Sequence, residues 1–330
     1  MLNDFTGDLL EQQSQIDPER VELMAEIARL YYEEGETQSA IGKKFHLSKA
    51  TVSRILDEAR RHKIVEIIIH YPISTDCNLE KQLIEKYGLI GAHVLVSGQR
   101  PYINLVRLLG KLAARVMLNY INDGMTIAVS WGMAVSATVE ALSVNRPMHL
   151  RVVQTQGSSE EDIIEGTNVV RTLAAMFGND FRIIPAPFIL KDQRIAQVLR
   201  EEPSVCEALQ IAENADLALV GIGSMNPKVS GLFRAGYLDD QQLQELIQQG
   251  AMGDVCGVII DKNGQPLDVE FNRRIIVVDL AKLRDIPIVI GVGAGAEKAP
   301  GILAALRGGY IKVLVTDMMA AKYLLSQDEL

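Results

Sequence analysis

Nine short runs rich in β-branched residues recur between residues 93 and 316, with amphipathic helical patterns between them. They are 93–96 (HVLV), 126–129 (TIAV), 151–154 (RVVQ), 182–185 (RIIP), 217–222 (LALVGI), 257–260 (GVII), 274–278 (RIIVV), 286–292 (IPIVIGV) and 311–316 (IKVLVT). The helical stretches include 78–87, 104–121 and 298–309. Strands that read as continuous apolar runs are buried on both faces, and parallel neighbours need a crossover long enough for a helix. Such alternation predicts a doubly wound, mostly parallel α/β domain.

Upstream the pattern is different. Residues 20–35 place Val21, Met24, Ile27, Ala28 and Tyr31 on one helical stripe that ends at Gly35. Thr37 can cap a short helix with Ala40, Ile41 and Phe45 on one side, and Ser48 a third with Val52, Ile55, Leu56 and Ala59 inward. Only a tight turn at His46–Leu47 fits between them, which describes a helix-turn-helix. From Lys43 to Lys63 seven cations face two carboxylates, a net +5 in a chain of net charge −9. A basic island in an acidic chain points to a polyanion gripped by one module.

In such a unit the second helix enters the major groove of double-stranded DNA with its first residues toward base edges. Lys49, Ala50, Thr51, Ser53 and Arg54 fill that turn and a half, while Lys43, Lys44, Arg60, Arg61 and Lys63 are expected nearer the phosphates. Thr37, Gln38 and Ser48, at the helix starts, complete the expected DNA-facing set. The stretch 64–72 (IVEIIIHYP) reads as a strand beside the helices. The expected division is a polar arm over 1–19, a DNA-binding domain over 20–72, a linker over 73–77 and the α/β domain over 78–330.

No apolar run approaches the roughly 18 residues of a membrane helix, and the N-terminus lacks the basic and apolar regions of a signal peptide. Cys77, Cys206 and Cys256 are odd in number, widely spaced and without metal-like spacing. A cytoplasmic chain without membrane, metal or cofactor is expected.

Ligands of doubly wound sheets bind at the carboxyl ends of strands, near helix N-termini. Three strand-end loops there are candidates. Ser130, Gly132 and Met133 lead from a strand into a helix, where free N–H groups suit a phosphate. The glycine-rich loop after residue 291 adds the charge of Lys298. Asp254, after Gly253, is a carboxylate suited to sugar hydroxyls, and Gln154, Gln156 and Gly157 follow another strand. Each has a plainer reading. Glycines after strands serve tight turns, Trp131 is a core residue more often than a stacking platform, Asp254 forms turns and Lys298 can be a solvated helix start. A dinucleotide-binding fingerprint is not matched, so a nicotinamide cofactor is not expected.

The motifs LYYEEGETQSAIGKKFHLSKATVSRIL, SWG, LVGIGS, GAMGDVCG and GVGAGAEKAPGILAALRGGYIKVLVTD, in that order, make the chain resemble the SorC/DeoR-type bacterial sugar-responsive transcriptional regulators over nearly its whole length. The resemblance implies an effector domain similar to ribose-5-phosphate isomerase and glucosamine-6-phosphate deaminase folds, binding a phosphorylated sugar. It assigns the phosphate to Ser130, Gly132 and Lys298 and a sugar contact to Asp254. It further implies a homotetramer, built as a dimer of dimers, on an extended operator, with ligand releasing DNA. Three positions depart from the family pattern: Ala134 and the segment after Asp317 lack a usual threonine, and Ala294 interrupts a pair of glycines.

The competing reading is an active sugar-phosphate isomerase or deaminase with an appended DNA-binding arm. His46, His62 and His70 lie in the first module, and His93 and His149 lie outside the candidate loops, so no histidine base is evident. Asp254 and Asp261 remain available as carboxylate bases.

Overall fold

A computed structural model gives the fold and describes residues 17–65, 73–98, 100–144, 147–158 and 166–327, those of 166–168 without their side chains. The chain divides into two compact units, Met1–Tyr71 and Pro72–Leu330.

In the first unit, α1 (Pro18–Tyr32), α2 (Gln38–Lys44) and α3 (Lys49–Arg61) close on Met24, Ile27, Ala28, Leu30, Ile41, Val52, Ile55, Leu56 and Ala59. The first helix starts two residues earlier than its apolar stripe suggests. Asp17 accepts from the Glu19 N–H, and Pro18 takes the first position, where its missing donor costs nothing. Ala40, expected inside, is exposed, and Gly42 is buried in its place. A Cβ on Gly42 would stand 2.6 Å from the Leu47 carbonyl oxygen, so the turn closes tightly on that glycine. His46 completes the turn at φ 56°. Of the expected strand at 64–72, Ile64 and Val65 pack on this core; residues 66–72, like residues 1–16 of the polar arm, lie outside the described residues.

The second unit runs α4 (Cys77–Tyr87), β1 (Gly91–Leu95), α5 (Tyr102–Leu118), β2 (Thr126–Val129), α6 (Met133–Glu140), β3 (Arg151–Gln154), α7 (Gly166–Ala175) and β4 (Asp180–Arg182). It continues α8 (Gln193–Glu201), α9 (Pro203–Glu213), β5 (Leu217–Gly221), α10 (Gly231–Arg234), α11 (Asp240–Gln248), β6 (Gly253–Val255) and β7 (Val258–Ile260). Last come α12 (Glu270–Arg274), α13 (Leu280–Asp285), β8 (Ile288–Val292), α14 (Ala299–Arg307), β9 (Val313–Asp317) and α15 (Met318–Ser326).

Seven strands form one wholly parallel sheet in the order β1-β9-β8-β5-β2-β3-β4. Alternation along the strands splits the core in two. Leu217 and Leu219 join Ile127, Val129, Ile290 and Val292 under α5, α6 and α7. Ala218 and Val220 join Ala128, Val289 and Leu314 under α4, α9, α11, α14 and α15. Covering both faces is what makes these strands apolar throughout.

Residues 73–77 are not a free linker. Thr75 bridges Leu95, the Val96 N–H donates to Ser74, and the Asp76 N–H donates to Val94. They cover the open side of the edge strand β1, whose backbone groups would otherwise lack partners. Three expected strands also differ. The run at 257–260 pairs antiparallel with β6 outside the main sheet, because Cys256 (φ 52°) and Gly257 (φ 82°) form a two-residue turn of the kind that suits hairpin twist. The run at 274–278 makes only single bridges, Ile275 to Ile189 and Val277 to Gln156. The guanidinium of Arg200 donates to the Ile275 and Val277 carbonyls, meeting needs that a further strand would otherwise meet. At 182–185 only Arg182 is in a strand. Among the described residues no helix is long and apolar enough to cross a membrane.

Candidate functional site

On the first unit, hydroxyl caps start both helices of the helix-turn-helix. Thr37 Oγ1 accepts from the Ala40 N–H at 3.2 Å, and Ser48 Oγ from the Thr51 N–H at 3.0 Å. Ser48 Oγ also lies 2.8 Å from Thr51 Oγ1, which holds the Thr51 side chain at the start of α3. Lys49, Ala50 and Arg54 are exposed along α3, with Thr51 and Ser53 half-buried beside them. Lys43, Lys49 and Arg54 make no ion pair among the described residues, whereas Lys44 pairs with Glu36. Gln38 is half-buried at the start of α2. Asp57 pairs with Arg60 and Glu58 with Arg20, so both carboxylates of the island are held by arginines.

On the second unit, a cavity of about 280 Å³ opens at the carboxyl ends of β2, β5 and β8, against the β6–β7 hairpin and the start of α5. Six residues expected at a ligand site line it: Ser130, Gly132, Met133, Gln156, Asp254 and Lys298. Gly157 does not. It lines a small adjoining recess with Gln154, and a Cβ there would stand 2.6 Å from the Ala186 and Pro187 carbonyl oxygens. Gly157 therefore serves close backbone packing. Gln154 is likewise structural, its Oε1 accepting from the Ile184 N–H at 3.1 Å.

α6 begins at the cavity with Gly132 (φ 129°) as a cap residue that offers no side chain. The first bond of the helix runs from the Ser136 N–H to the Gly132 carbonyl, so the N–H groups of Met133, Ala134 and Val135 have no acceptor within the helix. Ser130 Oγ accepts from the Gly221 N–H at 3.0 Å and donates to the Trp131 carbonyl at 3.3 Å. That hydroxyl locks the ends of β2 and β5 together. Gln156 Oε1 accepts from Thr155 Oγ1 at 2.5 Å, which fixes the amide on the cavity wall.

Residues 222–224 arrange the charged pair. The Ile222 carbonyl accepts from Lys298 Nζ at 2.6 Å, the Gly223 N–H donates to the Asp254 carbonyl at 2.8 Å, and Ser224 Oγ donates to the Glu297 carbonyl at 2.6 Å. Asp254 is buried; its Oδ2 accepts from the Gly257 N–H at 3.2 Å and its Oδ1 has no partner. Burial pushes the Asp254 carboxyl up to about 6, against the pull of the Lys298 ammonium and the Gly257 N–H. Burial pulls Lys298 down to about 8, against the attraction of Asp254, while the charge of Arg234 adds to the fall. Gly253 and Gly301 permit the close approach of α14, since a Cβ on Gly301 would stand 2.2 Å from the Gly223 carbonyl oxygen. The loop before Lys298 is held by Asp317, whose Oδ1 accepts from the Gly295 N–H at 2.8 Å.

Several lining residues have no motif to announce them. Tyr102 lines the cavity from the first turn of α5, its hydroxyl pushed up to about 12 by burial and eased by Arg234. Arg234 is exposed at the end of the four-residue α10, too short for any periodicity to reveal. Trp131 also lines the cavity, edge-on to Phe188 and Tyr237, with its buried Nε1 lacking a partner. Among the described residues no group of acidic, histidine or cysteine side chains is placed to hold a metal.

Capped DNA-facing helices in one unit and an amide-lined strand-end cavity in the other define a DNA-binding regulator with a ligand-sensing domain. Comparison with known proteins agrees. Residues 71–326 match the Sugar-bind family model, described as a "putative sugar-binding domain", and residues 22–62 match Sigma-70, region 4. The chain is 31% identical to the transcriptional regulator LsrR of Klebsiella pneumoniae over 92% of its own length and 93% of that protein's. It is 28% identical to the deoxyribonucleoside regulator of Bacillus subtilis, covering 94% and 99%. The crystal structure of the full-length sorbitol operon regulator SorC from Klebsiella pneumoniae superposes with a TM-score of 0.68 at 28% identity, covering 93% of this chain and 99% of that one. The chain belongs to the SorC/DeoR-type family of sugar-binding transcriptional regulators. It is a DNA-binding regulator, and the isomerase reading is set aside because the relatives that match it end to end are regulators.

Proposed function

We propose that the protein controls a carbohydrate operon in the cytoplasm, and that a phosphorylated sugar in the cavity between β2, β5 and β8 lowers its affinity for the operator. The observation that carries this reading is the meeting, in one cavity, of the open N–H groups of α6, the Lys298 ammonium and the unpartnered Asp254 Oδ1. Open amides and an ammonium favour a phosphate dianion, and a buried carboxylate oxygen asks for a hydroxyl donor. A phosphorylated sugar supplies both. The residues read as DNA-facing at the start of α3, Lys49, Thr51 and Arg54 above all, would contact bases, and Lys43 a phosphate.

The regulatory step is linkage: a ligand bound more tightly by the DNA-free form releases operator by that difference in affinity. The chain acts as a homo-oligomer on a repeated operator, since two copies of a helix-turn-helix read two half-sites. Titration of Trp131 fluorescence with sugars and with the matching sugar phosphates tests the ligand, with operator release followed in parallel. A response to the phosphorylated members alone is expected. A response to the free sugars of equal size would remove the phosphate from the account.

A further inference from the structure

The helix α8 is exposed on one side, and its exposed face is polar at both ends and apolar in the middle. Ile195 is 49% exposed and Val198 59%, one helical turn apart. Arg194 lies before them in the first turn and Glu201 after them in the last, both exposed. At 100° per residue these four project within one third of the helix circumference. Lys191 before the helix and Glu202 after it, at the start of α9, extend the same order of charge, which the capping Asp192 interrupts. None of these four charged side chains makes an ion pair among the described residues.

On the outer face this order opposes the helix dipole, which favours anions at the N-terminus and cations at the C-terminus; the capping carboxylate of Asp192, which accepts from the Arg194 N–H, follows it. The basic residue of the last turn, Arg200, is turned inward onto the Ile275 and Val277 carbonyls. The outer face of α8 therefore carries its charges where an isolated helix is weakened by them, and exposes two aliphatic side chains between them.

Both features are resolved by one arrangement. We propose that α8 is a contact between two copies of this chain, packed antiparallel across a two-fold axis that passes midway between Ile195 and Val198. Such a contact is isologous, so one patch must complement itself. Reversing α8 places Ile195 against the partner's Val198, sets Lys191 level with the partner's Glu202 and brings Arg194 within one turn of the partner's Glu201, beside the capping Asp192. It also sets each helix end beside the oppositely charged end of its neighbour. A partner of another sequence would have to reproduce the same charge order, which a second copy supplies by symmetry. The proposal rests on the homo-oligomeric assembly proposed above and identifies one surface that builds it. The same helix is anchored to the cavity wall, because Arg200 holds the carbonyl of Val277 and Val277 bridges to Gln156.

Sedimentation of the full chain tests it. Arg194→Glu and Val198→Asp each should halve the assembled mass: tetramer to dimer if a second contact exists, dimer to monomer if not. The exchanged variant Arg194→Glu/Glu201→Arg should recover the wild-type mass, and an equimolar mixture of Arg194→Glu with Glu201→Arg should assemble better than either alone. Assembly in the mixture also shows that the two single charge variants fold. An assembled wild type whose mass none of these changes moves overturns the α8 contact and leaves the oligomeric reading standing. A monomeric wild type overturns both.

Discussion

The Asp254 carboxylate occupies the space where a side chain on Gly223 would begin: a Cβ there would stand 1.6 Å from Oδ1. Substituting Gly223→Ala must therefore displace Asp254 or the hairpin that carries it. We predict at least a tenfold loss of ligand affinity and a stability loss of about 1–3 kcal/mol, the usual cost of overpacking. Calorimetric titration and thermal melting measure the two, and operator affinity without ligand should stay at the wild-type value. Unchanged ligand affinity would detach Asp254 from the site.

The charged pair predicts a pH dependence. Lys298 has a lower pKa folded, about 8, than its ordinary 10.5, so the folded chain binds fewer protons and gains stability as pH rises through that window. Asp254 has a higher pKa folded, about 6, than its ordinary 3.8, so it favours the protonated fold and costs stability as pH rises from 3.8 to 6. Between them the unliganded site is strained near neutrality. Affinity for a phosphate dianion should fall as pH passes 8 and Lys298 loses its proton, and the fall should be absent in Lys298→Met. Ligand titrations from pH 7 to pH 9.5, on the order of the Lys298 transition, decide it.

Removing the pair altogether should separate stability from sensing. Asp254 and Lys298 feel each other's charge without forming a direct ion pair, and replacing charges held against desolvation by neutral groups of similar shape is often neutral or stabilising. Asp254→Asn/Lys298→Met should therefore melt at or above the wild-type temperature, bind operator, and give no response to any sugar phosphate. A clear drop in melting temperature would show that the pair holds the fold.

On the DNA side, Arg54→Ala and Lys49→Ala should each cost about 1–3 kcal/mol at the operator if they read bases, while binding to random duplex changes little. Lys43→Ala should weaken both kinds of duplex alike and reduce the salt slope by about 1. Anisotropy titrations across a salt series distinguish the two patterns. Equal losses on operator and random duplex for Arg54→Ala would move it to the phosphates.

His46 holds a left-handed backbone that costs a non-glycine residue about 1–2 kcal/mol. His46→Gly should raise the stability of the first unit by up to about 1 kcal/mol, the gain being offset by glycine's greater freedom when unfolded. His46→Val should destabilise it. Denaturant unfolding of the full chain, followed through the helical signal, reads both.

Much of this architecture is legible in the residues because burial on two faces writes continuous apolar runs into β2, β5, β8 and β9, and hydroxyl caps mark α2 and α3. Elsewhere the physics is not local. The antiparallel hairpin at 253–260 depends on Cys256 taking a left-handed conformation, which no common turn dipeptide signals. The run at 274–278 has every mark of a sheet strand, but a guanidinium 75 residues upstream meets its backbone needs. Asp254, Lys298 and Gln156 could be named from strand-end chemistry, whereas Arg234 and Tyr102 come to the cavity only through the fold. Gly157 shows the converse error, since a glycine beside a ligand loop can serve backbone packing alone.

Asp17, Thr37 and Ser48 each lend an oxygen to the first turn of their own helix, but α6 has only Gly132 at that place. Its opening turn has no side-chain cap. An anion lodged there, as proposed above, would do for α6 what those side chains do for theirs, so that arrival of the metabolite would complete a piece of secondary structure.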